Sequence, residues 1–400
     1  MIRRHFLTTT LTATLATQIR AADGSPAKKI TLRSSWQTVN IGDIAHTPGM
    51  LVLLEKYQPQ AEITLWPSSV KDGVKELLLA RFPKLKIAES REEKLAALHE
   101  CDFFLHGSGP GIVGKNDMLK AQDAGKPYGF GGITLNDSEI KNDRALLEGA
   151  QFVFLRDTQS LEALNASAYS GPKPMFGPDA TFAVDLADKP AAEKLLAQHG
   201  LEPGKYLCAI PRLRWTPYWE IHHKPINAER DAVNKQFAEQ DHAKLREAIT
   251  SWVRETGMKV FLTPEMSYAV SLLKPLLFDG LPDDVKPEVA MMDRYWLTAE
   301  AASTLSMAAA VVSFECHSPI LAIGHKVPAV YLRQPTDTRK GQMYRDIGVP
   351  QWIHEIEEVE GKDIAATLLK IAADPATANA TVTAAHSFAH EKMKAMVEAI

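Results

Sequence analysis

The stretch SFECHSPILAIGHKVPAVYLR, Ser313 to Arg333, decides the fold class. The run AAAVVSF, from Ala308, is short, apolar and β-branched, as a strand buried on both faces must be. Pro319 suits the first turn of a helix, where its missing N–H is no loss. VPAVYL, from Val327, is a second apolar run, so the stretch reads as strand, helix, strand: one βαβ unit with parallel strands. His317 stands at the carboxyl mouth of the first strand, where open α/β sheets place their ligands. A histidine simply packed at a strand end fits the same local pattern.

The alternation extends in both directions. KITLR at Lys29, EITLW at Glu62, CDFFLH at Cys101, PYGFGG at Pro127 and AQFVFLR at Ala150 read as strands. Between them PGMLVLLEKY, VKDGVKELLLARF, REEKLAALHE and NDRALLEGA carry helical spacing of apolar residues. A second series contains YLCAIP at Tyr206, KVFLTP at Lys259 and the two strands of the opening stretch. Pro and Gly punctuation in ADKPAAEKLLAQHGLEPGK marks a boundary near residue 200. The expectation is an α/β protein of two Rossmann-like domains facing a cleft, residues 28–200 and 201–375. The alanine-rich segment 376–400 is expected as a helix packing back on the first domain. His222 to Lys244 is expected as a loop leading into a long, solvated surface helix.

Of the 400 residues, 45% are hydrophobic and 24% charged, the balance of an ordinary soluble globular protein. A net charge of -4 offers no global basic field for nucleic acid. Cys101, Cys208 and Cys316 lack the paired spacing of a zinc site or thiol redox motif. At the N-terminus, Arg3 and Arg4 precede a Thr/Ala/Leu stretch and the small residues Ala21 and Ala22, so residues 1–22 resemble a twin-arginine export signal. The expected location is the periplasm, with a leader retained in the cytoplasm as the alternative. No other segment approaches the length of a transmembrane helix.

Several stretches carry chemistry-bearing residues. After the first strand, Asn40, Gly42 and Asp43 precede a helix expected to open near Thr47 and Pro48, and free N–H groups at such a turn favour an anion. HGSGPGIVG supplies Gly107, Ser108 and Gly109 where a backbone turns tightly or approaches a ligand closely. It is not the dinucleotide fingerprint, because Pro110 interrupts the spacing. In FLRDTQSLEAL, Asp157 or Thr158 caps a helix, while Arg156 at the strand exit suits bidentate recognition of carboxylate or phosphate. IPRLRWTPYW sets Arg212 and Arg214 beside Trp215, Tyr218 and Trp219, which reads either as an anion clamp beside a sugar platform or as a loop stiffened by prolines.

Taken in order, NIGD at Asn40, GSGPG at Gly107, LRDTQS at Leu155, GPDATF at Gly177, CHSPILAIGHKVPAV at Cys316 and DTRKGQMYRDIG at Asp337 resemble the polysaccharide pyruvyl transferase family. The resemblance runs from about Asn40 to Gly348. It implies a GT-B-like pair of domains and a transferase that moves pyruvate from phosphoenolpyruvate onto a sugar hydroxyl pair as a ketal, with no cofactor or metal. It also implies that Arg156, His317 and Lys340 face the donor. That chemistry asks for cations against a carboxylate and a phosphate, and for a histidine able to give or take a proton.

One position departs from the family pattern. Many members carry an arginine two residues before the histidine, and here that residue is Glu315. A carboxylate pointing into the cleft opposes an anionic donor, and Arg212, Arg214 or Arg333 would have to compensate. Two other readings follow: an exported glycan-binding protein without catalysis, or a glycosyltransferase using a nucleotide sugar. The latter expects Glu265, in LTPEMS, to contact a ribose or sugar hydroxyl.

Overall fold

The structure, a computed structural model, describes residues 27–400, so the leader at 1–22 lies outside the described residues. Seven parallel strands form the first sheet, in the order β3-β2-β1-β4-β5-β6-β7. They are β1 (Lys29–Ser34), β2 (Glu62–Pro67), β3 (Lys86–Ile87), β4 (Phe103–His106), β5 (Tyr128–Ile133), β6 (Phe152–Leu155) and β7 (Met175–Phe176). The second sheet, also parallel, runs β10-β9-β8-β11-β12-β13. Its strands are β8 (Tyr206–Ile210), β9 (Lys259–Leu262), β10 (Val289–Met291), β11 (Ala310–Ser313), β12 (Ala329–Arg333) and β13 (Ile353–Glu355). Helices that matter below are α1 (Ile41–Tyr57), α2 (Thr158–Asn165), α3 (Ala228–Thr256), α4 (His317–Gly324) and α5 (Pro375–Glu398).

The central strands are the apolar runs read from sequence. β4, β5, β6, β8 and β11 are buried at every position, because helices cover both faces of a parallel sheet. The short strands β3, β7, β10 and β13 escape that reading. Each lies at the end of its sheet or one pairing from open chain, and two or three residues are too few to show a pattern. In both sheets the strand order reverses once, between β1 and β4 and between β8 and β11. Those switch points open crevices at the strands' carboxyl ends.

Helix α1 begins earlier than expected. Asn40 is its cap: Oδ1 accepts from Gly42 N at 2.7 Å and from Asp43 N at 3.3 Å, so the helix starts at Ile41 and Pro48 lies inside it. The N–H groups at this turn are therefore spent within the protein and are not free for an anion. Helix α3 also differs from a solvated face, since Asn234, Asp241, His242 and Trp252 on it are buried.

The two sheets are joined by backbone as well as side chains. Asn40 and Met266 form an antiparallel bridge, with Ile41 N donating to Glu265 O at 3.1 Å and Ser267 N to Val39 O at 2.9 Å. The Asp346 carboxylate accepts from Thr158 N and Oγ1, at 2.8 and 2.7 Å, at the start of α2. Helix α5 returns to the first sheet: Gln58 Nε2 donates to Val397 O at 2.9 Å, and the Phe388 ring stacks on Phe176 of β7. Met396 is fully buried against Gly177 and Gly132. Met396→Ala opens a cavity there and is expected to cost about 2–5 kcal/mol of stability, measured by chemical denaturation.

Candidate functional site

Both switch points open into one interdomain cavity of about 260 Å³. From the first domain it is lined by Asn40 and Asp43 of the α1 start, by Pro110 beyond β4 and by Arg156 at the exit of β6. From the second come Arg212, Trp215 and Tyr218 after β8, Glu315 and His317 after β11, and Asp337 and Lys340 after β12. A larger cavity, about 950 Å³, lies beyond the Asn40–Met266 bridge; Tyr295, Asp72 and Arg294 are among its lining residues, and none of the sequence-flagged residues lines it.

His317 is the first residue of α4 and is held from below. Its Nδ1 lies 3.2 Å from Glu265 Oε1, and the other carboxylate oxygen accepts from Ser318 N at 2.6 Å and Ser318 Oγ at 2.8 Å. Glu265 is fully buried. Burial alone would depress His317, but the Cys316 sulfur, 3.6 Å from Nδ1, and the Glu265 carboxylate outweigh it and hold the imidazole well above its ordinary value. Burial likewise would raise Glu265, and its hydrogen bonds from His317 and Ser318 keep it below its usual range instead. His317 Nε2 is buried without a hydrogen-bond partner. Among the described residues, the end of the ring away from Glu265 has no acceptor.

Helix α1 packs directly over that ring. A Cβ built at Gly42 would lie 2.1 Å from His317 Cγ, so only glycine fits there. One turn on, the His46 ring meets His317 edge-on, with centroids 5.1 Å apart. His46 Nδ1 is 2.9 Å from Asp179 Oδ1 and 2.8 Å from Ser108 Oγ. Arg156 ties into the same layer, Nη1 on Asp179 and Nε on Thr134 Oγ1 at 2.8 Å, leaving Nη2 buried and without a partner. Burial pushes His46 down; burial would raise Asp179, but His46 and Arg156 beside it hold it well below its usual range. His46, Asp179 and His317 bring ligand-type atoms within 4.8 Å of one another, a grouping no sequence spacing displays. Arg156 already neutralises the carboxylate there, which disfavours a cation.

The opposite wall is a charge ladder. Arg212 Nη1 is 2.5 Å from Asp337 Oδ1, and its Nε is 3.3 Å from Glu315 Oε2. Lys340 Nζ lies 3.6 Å from Asp337 Oδ1. Burial would raise Asp337, but Arg212 and Lys340 draw it down to about 2. Glu315 goes the other way: burial, with Glu265 and Asp337 nearby, exceeds the pull of Arg212 and Lys340 and brings it to about 7.

Among the residues flagged from sequence, Asn40, Asp43, Arg156, Arg212, Glu315, His317 and Lys340 converge on this cavity. Others do not line it. Arg214 turns away into a pair with Asp241, at 2.8 and 2.9 Å, and with Glu357 at 2.6 Å, its guanidinium over the Phe237 ring. Both carboxylate oxygens of Glu265 are engaged by His317 and Ser318, so it supports the site from behind and does not line the cavity. Gly107, Ser108 and Gly109 form the layer beneath, where Ser108 is fully buried under His46 and Gly109 packs on Trp36. Arg333 pairs with Glu355 at 2.7 Å and leaves Glu315 to Arg212. Arg156, too, has a structural duty through Asp179, and only Nη2 is left over.

The model of the polysaccharide pyruvyl transferase family matches residues 40–334, most of the chain. The protein belongs to this family. No curated protein sequence matches it. Solved structures agree in fold: UDP-GlcNAc 2-epimerase from Neisseria meningitidis bound to UDP-GlcNAc superposes with a TM-score of 0.59 at 11% identity, over 93% of this chain and 99% of that one. The S. aureus MnaA–UDP structure gives 0.58 at 10% identity, over 93% and 98%. Anabaena Alr3699/HepE with UDP and glucose gives 0.56 at 11%, over 93% and 97%. The fold is therefore GT-B-like, two parallel-sheet domains facing a cleft, and the family makes the protein a transferase.

Within this polysaccharide pyruvyl transferase fold, sequence reasoning missed His46, Asp179 and Asp337 as parts of the site. Asp179 is the third residue of GPDATF and Asp337 the first of DTRKG, but only pairing across elements reveals their work. His46 carried no local signal, since it lies mid-helix in a sequence that reads as apolar packing.

Two outcomes follow from this geometry. Gly42→Ala drives a methyl into the imidazole and is expected to destabilise the protein by about 1–3 kcal/mol and to displace His317, seen in thermal unfolding and a changed His317 signal. Glu265→Gln removes the carboxylate partner, so the His317 titration is expected to move down toward neutrality, followed by imidazole NMR.

Proposed function

We propose that this protein transfers a pyruvyl group from phosphoenolpyruvate to a pair of sugar hydroxyls, forming a ketal. The observation that carries the reading is the placement of the His317 imidazole. It is fixed at Nδ1 by Glu265, unpartnered at Nε2 and set in a cavity beside the free Nη2 of Arg156 and the Lys340 ammonium. An enol phosphate must accept a proton on its methylene as a hydroxyl attacks the neighbouring carbon. A held imidazolium is suited to giving that proton. The carboxylate and phosphate of the donor require cations in a water-poor site, which Arg156 and Lys340 supply. Glu315 faces the cavity, and Arg212 shares its charge. Trp215 and the 39%-exposed Tyr218 stand at the mouth, where aromatic faces suit a carbohydrate acceptor. The contact that a nucleotide-sugar reading asks of Glu265 is already taken up by His317 and Ser318.

The leader makes export part of the proposal: Arg3 and Arg4 both changed to Lys should leave the protein in the cytoplasm by cell fractionation. For the reaction itself, His317→Ala is expected to lower pyruvyl transfer at least ~10²-fold while the thermal unfolding curve stays in place. A rate within a few-fold of the parent overturns the assignment. Lys340→Met, with thermal unfolding as the control for the fold, is expected to weaken phosphoenolpyruvate binding about 10-fold or more, measured by calorimetry, since a hydrogen bond to a charged group contributes ~1.5–3 kcal/mol.

A further inference from the structure

Glu315 occupies a place that packing does not account for and that ion pairing accounts for at only one of its two oxygens. It is 4% exposed, it follows β11 by two residues, and it lines the same 260 Å³ cavity as His317. Its backbone is fixed by Ser313, whose Oγ accepts from Glu315 N at 2.9 Å and donates to Glu315 O at 2.8 Å. One carboxylate oxygen, Oε2, lies 3.3 Å from Arg212 Nε, at ion-pair distance but out of line for a hydrogen bond. The other, Oε1, is buried with no hydrogen-bond partner among the described residues. A buried acceptor is almost always satisfied, so an orphaned carboxylate oxygen at a cavity wall calls for a ligand proton. Two further unpartnered atoms belong to residues lining the same cavity: Arg212 Nε, 3.3 Å from Oε2, and His317 Nε2.

Resting on the pyruvyl-transfer reading above, we propose that Glu315 is the general base of this protein: its Oε1 takes the proton of the attacking sugar hydroxyl while His317 protonates the donor methylene. In the first step the hydroxyl oxygen bonds to the central carbon of the enol phosphate, the double-bond electrons move to the methylene, and the proton on His317 Nε2 converts it to a methyl. The hydroxyl proton passes to Glu315. In the second step the carbon–oxygen bond to phosphate breaks with its electron pair on the leaving oxygen, and Glu315 returns its proton to the phosphate. The second hydroxyl closes the ketal and gives its proton to neutral His317. Both residues end in their starting states, and two hydroxyl protons are accounted for by one methyl hydrogen and one phosphate proton. No further reactant is needed.

The surroundings suit the role. Arg212 and Tyr218 face Glu315 from the segment after β8, Glu265 and Tyr268 from the segment after β9, and Asp337 and Lys340 from the segment after β12. His317 is its neighbour on the same turn, and Asp43 and Arg156 lie across the cleft. Burial and the two carboxylates outweigh Arg212 and Lys340 and poise Glu315 at about 7, where a base is most effective near neutral pH. His317 is held well above its ordinary value by Cys316 and Glu265, which favours the active form, with Glu315 ionised and His317 protonated. Rate should fall on both sides: below about 7 as Glu315 gains a proton, and at alkaline pH as His317 loses one.

The test is Glu315→Gln in the full chain, assayed by phosphate release from phosphoenolpyruvate with a panel of methyl glycosides of glucose, galactose, mannose and their N-acetylated amino sugars. Phosphoenolpyruvate binding is measured in parallel by calorimetry. The expected result is a turnover loss of ~10²–10⁴-fold, disappearance of the acidic limb of the pH–rate profile, and donor binding as tight as the parent or tighter, because a negative charge has been removed. Glu315→Asp, which keeps the carboxylate but retracts it, should regain part of the rate and the acidic limb. Turnover by Glu315→Gln within about 3-fold of the parent, or an unchanged acidic limb, overturns the base assignment and leaves pyruvyl transfer standing. Loss of donor binding in Glu315→Gln, restored by Asp, makes the residue a partner of Arg212 and also overturns it. A parent protein that binds no phosphoenolpyruvate and releases no phosphate with any acceptor removes the pyruvyl reading itself.

Discussion

The buried carboxylate of Glu265 is the contact on which the site turns. Its side chain fixes His317 Nδ1 and both polar groups of Ser318, which sets the ring angle and the start of α4 together. Its backbone oxygen takes the Ile41 N–H from the other domain. One residue therefore joins the histidine's protonation to the closure of the cleft. An ionised carboxylate buried without its three donors would be too costly to keep, and the Ile41 N–H on the backbone oxygen ties the residue that holds them to the first domain.

Around this pivot the cleft is divided by charge. The floor, His46, Asp179, Ser108 and Arg156, is internally neutralised and leaves a single guanidinium nitrogen to the cavity. The far wall alternates sign through Glu315, Arg212, Asp337 and Lys340. Such a wall suits a reaction in which charge moves, since a proton gained or lost by one member is felt by the next at short range. It also lets a carboxylate stand at residue 315 without leaving the wall acidic. Arg212, supplied from a different strand, brings the positive charge back to the same wall.

The close approach of Gly42 to His317 gives the two domains their register. A side chain of any size at residue 42 would push α1 off α4, and with it His46 off the histidine. The capping of α1 by Asn40 belongs to the same constraint, because it brings the helix start, rather than its middle, over the ring. An anion meeting this corner therefore finds side-chain cations and not helix N–H groups.

What the amino-acid sequence determined by itself was set by short-range physics. Apolar β-branched runs named the central strands, and Pro319 and the turn after β11 named the βαβ unit that carries His317, because burial and backbone geometry act within a few residues. The order of motifs brought the family within reach. The edge strands β3, β7, β10 and β13 were illegible, being too short to bury a pattern of their own. So was the start of α1, where Pro48 looked like a first-turn proline until Asn40 was seen to accept two N–H groups. Tertiary structure alone decided which of two arginines faces the cleft. Arg212 and Arg214 are two residues apart and locally alike, yet one meets Glu315 and Asp337 while the other meets Asp241 on α3. Partners so far apart in the chain are chosen by the packing of whole elements, and so are the free atoms left for chemistry.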